Sequence, residues 1–291
     1  MSVSVLNTVD RSISNCGIGL RHCHLREVLE RKPAVPWFEV LADNHLEEGG
    51  ATRKALFAIR EAYPFTFHCV NMSLGSTDEL NFEYLKTIKR LMHELQPAWV
   101  SDHVCFTHVG QRYVHELLPL PYTEEALKHM AARIQIVQEF LGQRILIENI
   151  SSYLTYSHST ISEGEFLGAL ADMADCDILL DVNNIYVNSI NHQLDVREFL
   201  TAVPMSRVRE IHLAGFEDRQ EYLLDAHNNC VADAVWNLFS DIMQIASDIP
   251  ALIEWDNDIP ALSVLQQEAG RADYLRYAHK PVELPEQEMM V

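Results

Sequence analysis

Short runs of apolar residues alternate with longer amphipathic segments along most of the chain. Apolar runs of this length are typical of buried strands, and the segments between them have the periodicity of helices. One such helix is predicted over Leu80–Leu95, where apolar residues recur along one stripe. The eight predicted strands are Cys16–Leu20, Trp37–Leu41, Phe65–Val70, Ala98–Val100, Arg144–Glu148, Asp177–Val182, Val208–Ala214 and Ala251–Trp255.

The alternation of strands with helices predicts a parallel sheet. Eight such units over this length favour a single closed (β/α)8 barrel, or TIM barrel, of the α/β class. The alternative is an open doubly wound sheet, but no Gly-x-Gly-x-x-Gly turn follows any strand. We expect residues 1–16 to form an N-terminal arm, residues 17–278 the barrel, and residues 279–291 a loose tail.

Three connecting segments carry more specific expectations. Residues 107–122 contain two prolines and predict an insertion, and the run 116–124 predicts a rigid loop at the rim. The residues after the sixth strand, as far as His192, predict a polar loop. Ser162 followed by Glu165 is a capping-box pattern, so a helix is predicted over Ser162–Ala174.

Four of the predicted strands carry a metal-ligating side chain near their C-terminal end. These side chains are Glu148, Asp181, His212 and Glu254. The C-terminal ends of barrel strands converge on one face, where active sites lie. A buried carboxylate is costly unless a cation or hydrogen bonds compensate its charge. The four residues together therefore favour a metal site over structural pairing, and they are the candidate catalytic residues.

Further ligand-type residues lie on other strands, among them Glu39 on the second predicted strand, and in loops. A lone histidine on an apolar strand is more often a hydrogen-bonded core residue, but His68 and His103 both fall at predicted strand ends. Asp225 and His227 are two residues apart, so both side chains point the same way if the loop is extended. His192, next to Asn191, fits a metal ligand and a solvated loop residue equally well.

The number of these groups exceeds what one metal ion requires. Carboxylates such as Glu148 and Glu254 are able to bridge two ions, so a site with two or three metals is the simplest interpretation. Histidine and carboxylate ligands without thiolate suit iron, manganese or zinc.

Composition narrows the possible partners. The chain has 22 basic and 42 acidic residues and a formal charge of −20. This charge argues against nonspecific nucleic-acid binding, which needs a basic surface, but it leaves room for a basic peptide. The six cysteines form no Cys-x-x-Cys motif and indicate reduced thiols in a cytoplasmic protein. No apolar run is long enough to span a membrane, and the N-terminus lacks the apolar core of a signal peptide.

Several motifs in the chain resemble those of a known family. They include Gly-Ile-Gly-Leu-Arg at 17–21, Ile-Glu-Asn-Ile-Ser-Ser-Tyr at 147–153, Leu-Leu-Asp-Val-Asn-Asn at 179–184, Glu-Ile-His-Leu-Ala-Gly at 210–215 and Leu-Ile-Glu-Trp-Asp at 252–256. The set, which covers roughly residues 17–256, resembles the multinuclear non-haem iron-dependent oxidative enzymes, the family of the methanobactin-biosynthesis iron oxidase. This resemblance implies a xylose-isomerase-like TIM barrel that holds two or three iron ions of mixed valence.

The resemblance also implies a reaction and its participants. The expected activity is an O2-dependent oxidation of cysteine in a ribosomally synthesised precursor peptide, with O2 as cosubstrate. A small partner protein that presents the leader of the peptide is expected as well. The implied metal ligands are His68, His103, Glu148, Asp181, Asn184, His212, Asp225, His227 and Glu254. Asn183 is the adjacent alternative to Asn184.

Two other function classes fit parts of the same pattern. A divalent-metal sugar isomerase or epimerase on the same barrel would use the same strand-end set of Glu, Asp, His and Glu. A metal-binding protein that engages a peptide without turnover is the third hypothesis, although crowded ionisable groups are costly to bury without use. A metal-dependent endonuclease is disfavoured by the negative charge. An oligomer is compatible with the sequence.

Overall fold

A computed structural model of the protein describes residues 13–110 and 112–279. Most of the predicted N-terminal arm and C-terminal tail, residues 1–12 and 280–291, lies outside the described residues. The first strand begins at Cys16, and the last helix ends at Ala278.

Eight parallel strands close into a barrel, which confirms the predicted fold. In chain order the described strands are β1 (Cys16–Gly19), β2 (Phe38–Leu41), β3 (Phe65–His68), β4 (Val100–His103), β5 (Phe106–Val109), β6 (Arg112–Leu118), β7 (Leu146–Glu148), β8 (Asp177–Asp181), β9 (Val208–Leu213), β10 (Glu217–Asp218), β11 (Leu223–Leu224) and β12 (Ala251–Ile253). Around the barrel the order is β1, β2, β3, β4, β7, β8, β9 and β12, with β12 paired to β1. The other four strands form two hairpins outside it.

Helices connect the barrel strands and bury an apolar face against them. They are α1 (Leu25–Arg31), α2 (Gly50–Arg60), α3 (Phe82–Leu95), α4 (Glu124–Leu141), α5 (Glu163–Ala174), α6 (Val182–Asn191), α7 (Val196–Ala202), α8 (Asp233–Ala246) and α9 (Leu262–Ala278). The stripe predicted on α3 is buried, including Leu85, Ile88 and Leu91. The core is tight as well as apolar: a Cβ atom at Gly17 would lie 2.4 Å from the ring of Trp37.

The register of the barrel brings ligand-type residues side by side at its C-terminal face. His103 on β4 is directly opposite Glu148 on β7. Asp181 on β8 is directly opposite His212 on β9. Because these residues are paired across neighbouring strands, their side chains start from adjacent positions in the sheet.

One expectation about the connections is wrong. The segment predicted as a polar loop after the sixth strand is the helix α6, because the Asp181 carboxylate caps it by accepting the N–H of Asn184 at 2.6 Å. The rim insertion contains the antiparallel hairpin β5–β6. The predicted fourth strand also ends too early, since β4 runs on to His103.

The predicted capping box of α5 is confirmed: Ser162 accepts the N–H of Glu165, and Glu165 accepts the N–H of Ser162. Among residues 13–110 and 112–279, no helix has the length and apolar character needed to cross a membrane.

Candidate metal centre

Two imidazoles and one carboxylate meet at the end of β3, β4 and β7. The Nε2 atoms of His68 and His103 are 3.1 Å apart, and each lies 3.3 Å from Oε2 of Glu148. Donor atoms bound to one metal at about 2.1 Å are roughly 3 Å from one another. The three atoms are therefore spaced as ligands of a common ion.

The proton on His68 is placed by its neighbour. His68 Nδ1 lies 2.7 Å from the Ser101 hydroxyl, which itself donates to the carbonyl oxygen of Phe67 at 3.2 Å. A hydroxyl has one proton, so it accepts from His68 and Nδ1 carries the hydrogen. Nε2 of His68 is thus unprotonated and presents a lone pair to His103 and Glu148.

A second group of four residues shares Glu148 with the first. Glu148, Asp181, His212 and Glu254 each offer a ligand atom within 4.8 Å of the others. Nδ1 of His212 is 2.9 Å from Oε2 of Glu254 and 3.7 Å from Oε1 of Glu148. Oδ1 of Asp181 caps α6, while Oδ2 is buried and accepts no hydrogen bond from the described residues.

Two buried carboxylates lie close to the other ring nitrogen of His212, Nε2. Its Nε2 is 3.2 Å from Oε2 of Glu39 and 3.6 Å from Oε1 of Glu210. A proton on Nε2 that is donated to Glu39 leaves Nδ1 free to bind a metal, as is common for metal-ligating histidines. Glu39 is one of the ligand-type residues that the sequence places at a strand end, whereas Glu210 was not predicted as a site residue. For Glu210 the signal was its spacing of two from His212 on one strand, which points both side chains into the barrel.

A third group lies at the outer edge of the centre. His227 Nδ1 is 3.6 Å from Oε2 of Glu254 and 3.2 Å from Oδ2 of Asp256, and His227 Nε2 is 2.6 Å from Oδ1 of Asp225. The guanidinium of Arg21 ion-pairs with Asp256 and lies 3.7 Å from Oε1 of Glu254. Arg21 therefore balances part of the negative charge here.

Each of the two adjacent asparagines, Asn183 and Asn184, has a buried side-chain oxygen and contacts a residue of the centre or its edge. Asn184 donates its amide to the carbonyl oxygen of Asn149 at 3.0 Å, and Asn183 donates to Oδ1 of Asp225 at 2.7 Å. Neither Oδ1 atom has a hydrogen-bond partner among the described residues. Both remain candidate ligands, and the choice between them stays a prediction.

Burial shifts the protonation equilibria of the cluster. Burial and the neighbouring His103 hold the pKa of His68 well below its usual value. Burial, reinforced by Asp225, raises the pKa of Asp181 to about 7. Burial alone would lower the pKa of His212, but Glu39 and other carboxylates outweigh it and raise that pKa well above its usual value. Without a cation, the cluster must hold protons to limit its charge.

The donor set fits a bound metal on independent grounds. Oδ2 of Asp181 is buried without a hydrogen bond from the described residues, while Oε2 of Glu148 and Nδ1 of His212 face only other ligand-type atoms, at 3.3 Å and 2.9 Å. Unpaired buried polar atoms are rare and costly, and each needs an explanation. Metal ions at these atoms would supply it, and the mixture of imidazole, carboxylate and amide donors suits iron, manganese or zinc.

All nine ligands suggested by the sequence lie in or against this cluster. His68, His103, Glu148, Asp181, His212, His227 and Glu254 belong to its closely spaced groups, and Asp225 and Asn184 contact members of those groups. His192 lies elsewhere, with Nε2 2.6 Å from the carbonyl oxygen of Ser152. Asp256 and Arg21 complete the outer edge.

An apolar groove of 480 Å³ opens beside the cluster. Its wall includes Leu118 of the β5–β6 hairpin, Tyr153 and Tyr222. The hydroxyl of Tyr153 accepts the backbone N–H of Asp225 at 2.9 Å, so the groove adjoins the edge of the candidate metal centre.

Solved structures with a similar fold are xylose-isomerase-like TIM barrels. Endonuclease IV from Thermus thermophilus superposes with a TM-score of 0.59 at 16% identity, covering 91% of this chain and 100% of that one. D-allulose 3-epimerase from Methylomonas sp. superposes with a TM-score of 0.56 at 16% identity, covering 92% and 99%. At this identity the likeness shows the fold alone, and it confirms the predicted barrel type.

Sequence relatives are much closer. A UPF0276 protein of Acaryochloris marina is 47% identical over 270 residues, which cover 93% of this chain and 98% of the relative. A UPF0276 protein of Anaeromyxobacter sp. is 45% identical over 262 residues, covering 90% and 93%. The model of the family described as RiPP precursor modification enzymes MbnB/TglH/ChrH matches residues 15–276. The chain therefore belongs to the MbnB/TglH/ChrH family of RiPP precursor modification enzymes, as its motifs predicted.

Proposed function

We propose that the protein is a multinuclear iron-dependent oxidase or oxygenase that uses O2 to modify cysteine residues of a ribosomally synthesised precursor peptide. The family supports an enzyme that acts on a RiPP precursor. The iron, the O2 and the cysteine are the parts that this proposal adds.

The observation that carries the proposal is the position of Glu148. One of its oxygens faces His68 and His103, and the other faces His212. A carboxylate between two sets of ligand atoms is suited to bridging two ions. Glu254 differs, because its Oε2 lies near both His212 and His227 while its Oε1 lies near Arg21, so a third metal position beside His227 rests on one shared oxygen.

The residues around the ions have separate tasks. His68, His103 and Glu148 would hold one ion, and Asp181, His212 and Glu254 would hold the next. Bound iron would supply redox chemistry with O2 and a positive charge that lowers the pKa of a substrate thiol. Ser101 orients His68, and Glu39 orients His212. Each imidazole then directs an unprotonated nitrogen at the centre.

The substrate would approach along the apolar groove beside Tyr153 and Tyr222. A basic peptide segment would be attracted by the net charge of −20. We further propose a small partner protein that presents the leader of the precursor, and a cytoplasmic site of action.

Metal analysis tests the proposal directly. Protein produced with added iron and purified without air is analysed by mass spectrometry and Mössbauer spectroscopy. We expect at least two irons per chain with a coupled pair, and O2 consumption when a cysteine-containing precursor peptide is added. Glu148→Gln should lose most of the iron, whereas Glu139→Gln, which removes one exposed charge from α4, should keep it. A single zinc or manganese ion and no iron would contradict the proposal.

A sugar epimerase is the second candidate, because D-allulose and D-psicose 3-epimerases share the fold. The group of Glu148, Asp181, His212 and Glu254 would by itself suffice for one divalent ion. One ion per chain and turnover of ketohexoses without O2 would favour this candidate.

A further inference from the structure

A second cavity, of 180 Å³, lies next to the apolar groove and is separate from the metal centre. The two spaces share Pro119, Leu154 and His192 in their walls, so they are neighbours along one path. Glu163, the first residue of α5, is the one carboxylate among the described residues that line the smaller cavity.

The carboxylate of Glu163 has few partners. The side-chain amide of Asn188 lies 3.3 Å from Oε1 and 3.2 Å from Oε2, and the same nitrogen donates to the carbonyl oxygen of Ile150 at 2.9 Å. This shared amide leaves most of the lone pairs of the partly buried carboxylate open to solvent or to a ligand. Asn188 is itself 1% exposed and also accepts the N–H of Ser152, so it cannot turn to improve the contact.

The N-terminal end of α5 offers this group only a partial positive charge, and the cavity adds no cationic side chain. Among residues 13–110 and 112–279, no lysine or arginine lines it. Burial raises the pKa of Glu163 to about 8, even though Asn188 opposes the rise. The other titratable side chains in its wall are Tyr122, Tyr156 and His192. A ligand that brings a positive charge and N–H donors would satisfy the carboxylate.

The shape of the site selects among cations. A single carboxylate is too little for a divalent ion, which takes six or more oxygen ligands. A guanidinium group binds both carboxylate oxygens at once, but the amide of Asn188 already straddles them. An ammonium group is a compact charge with three donors and needs only one free lone pair. Tyr122 and Tyr156 also line the cavity, and aromatic side chains are able to attract a cation.

We propose that this cavity binds a primary ammonium group, with Glu163 as its counter-ion. The identity of the carrier rests on the proposed function: the ammonium group belongs to the precursor peptide, as a lysine side chain or a free N-terminus. Peptide lying in the apolar groove would then be anchored at two points, the metal centre and Glu163.

Calorimetric titration of the full chain tests the proposal with three probes. Nα-acetyl-lysine N-methylamide carries a side-chain ammonium group, leucine N-methylamide carries an α-ammonium group, and Nα-acetyl-norleucine N-methylamide carries neither. We expect one or both ammonium probes to bind wild type at least tenfold more tightly than the norleucine probe. The preferred ammonium probe identifies the source of the charge.

Glu163→Gln should remove this preference, while Glu139→Gln should keep it. The protein with and without iron should behave alike, so failure of this proposal is separable from failure of the iron proposal. Binding should also release a proton near pH 7, seen as a dependence of the heat on the buffer, because a protonated Glu163 must ionise. This last measurement needs no variant. Equal affinities of wild type for charged and neutral probes, or a preference that survives in Glu163→Gln, would overturn the proposal.

Discussion

The Nε2 atoms of His68 and His103 face each other at 3.1 Å in the interior of the barrel end. Ser101 keeps the proton of His68 on Nδ1, and burial disfavours a second proton on that ring. Without a metal, His103 is able to donate an Nε2 proton to the lone pair of His68 Nε2. A cation between the two nitrogens would replace this hydrogen bond by two metal–nitrogen bonds, so the geometry suits a metal-bound state.

Removal of metal should lower the stability of the protein. A metal present at about a thousand times its Kd adds roughly 4 kcal/mol, which corresponds to about 10 °C in the unfolding temperature of a domain of this size. Chelation of iron-loaded protein, followed by calorimetry, should show a decrease of this order that added iron reverses. In Glu148→Gln the decrease should be at most half as large.

The metal-free proteins provide the control for this comparison. Without metal, Glu148→Gln should unfold at about the same temperature as wild type, because burial raises the pKa of Glu148 well above its usual value and glutamine resembles the protonated carboxyl in size and charge. An unfolding temperature of wild type that does not respond to chelation would contradict the assigned centre.

Ser101→Ala should weaken metal binding without emptying the site. Loss of the hydroxyl leaves Nδ1 of His68 without its acceptor, and such supporting contacts are worth about 10-fold to 100-fold in metal affinity. Competition with a chromophoric chelator measures the change. Thr66→Val is the matched control, since the Thr66 hydroxyl is buried without a hydrogen bond to any described residue. Equal affinity in wild type and Ser101→Ala would refute the positioning role.

Glu163 should make stability depend on pH in a defined direction. Its pKa is about 8 in the folded protein and near the ordinary 4.5 when unfolded. Between these values the unfolded chain has lost the proton that the folded chain keeps, so the contribution of Glu163 decreases as pH rises. In Glu163→Gln this contribution is absent. In urea unfolding of the metal-free proteins, the free energy of unfolding of the variant should therefore rise relative to that of wild type from pH 5 to pH 8. A constant difference would contradict the raised pKa.

Two glycines offer a test of helix packing away from the centre. A Cβ atom at Gly164 would lie 2.8 Å from the backbone of Phe199, where α5 meets α7. Gly164→Ala should destabilise the fold by about 1–3 kcal/mol, as overpacking does. At Gly270 in α9 nothing lies within 4 Å, so Gly270→Ala should stabilise it by about 0.5–1 kcal/mol. Urea unfolding measures the change in the free energy of unfolding for each variant. Equal changes in the two variants would show that the contact between Gly164 and Phe199 does not restrict the side chain at position 164.

The sequence was informative about the barrel and its ligands for one physical reason. Strands buried on both sides are short apolar runs, so a Glu, Asp or His at the end of a run stands out, as Glu148 and Glu254 do. Because all strands of such a barrel point the same way, residues far apart in sequence could be assigned to one face.

Other features depend on contacts that a linear pattern does not contain. The run Asp181–Asn184 is polar and resembles a loop, but the Asp181 carboxylate both caps α6 and faces the centre. Glu39 and Glu210 lie within or beside apolar strands, and their role became visible only when both were found against His212. The partnership of Glu163 with Asn188 likewise joins two helices.

Strand pairing limits which parts of such an enzyme are free to change, because it places His103 beside Glu148 and Asp181 beside His212. Ligand positions are fixed by backbone hydrogen bonds between neighbouring strands, and a slip of one residue would turn a ligand out of the barrel. The groove and the ammonium cavity, by contrast, are lined by loops, a hairpin and helix ends. New peptides can therefore be accommodated by changes in those segments, while the paired barrel strands keep the metal ligands in the same positions.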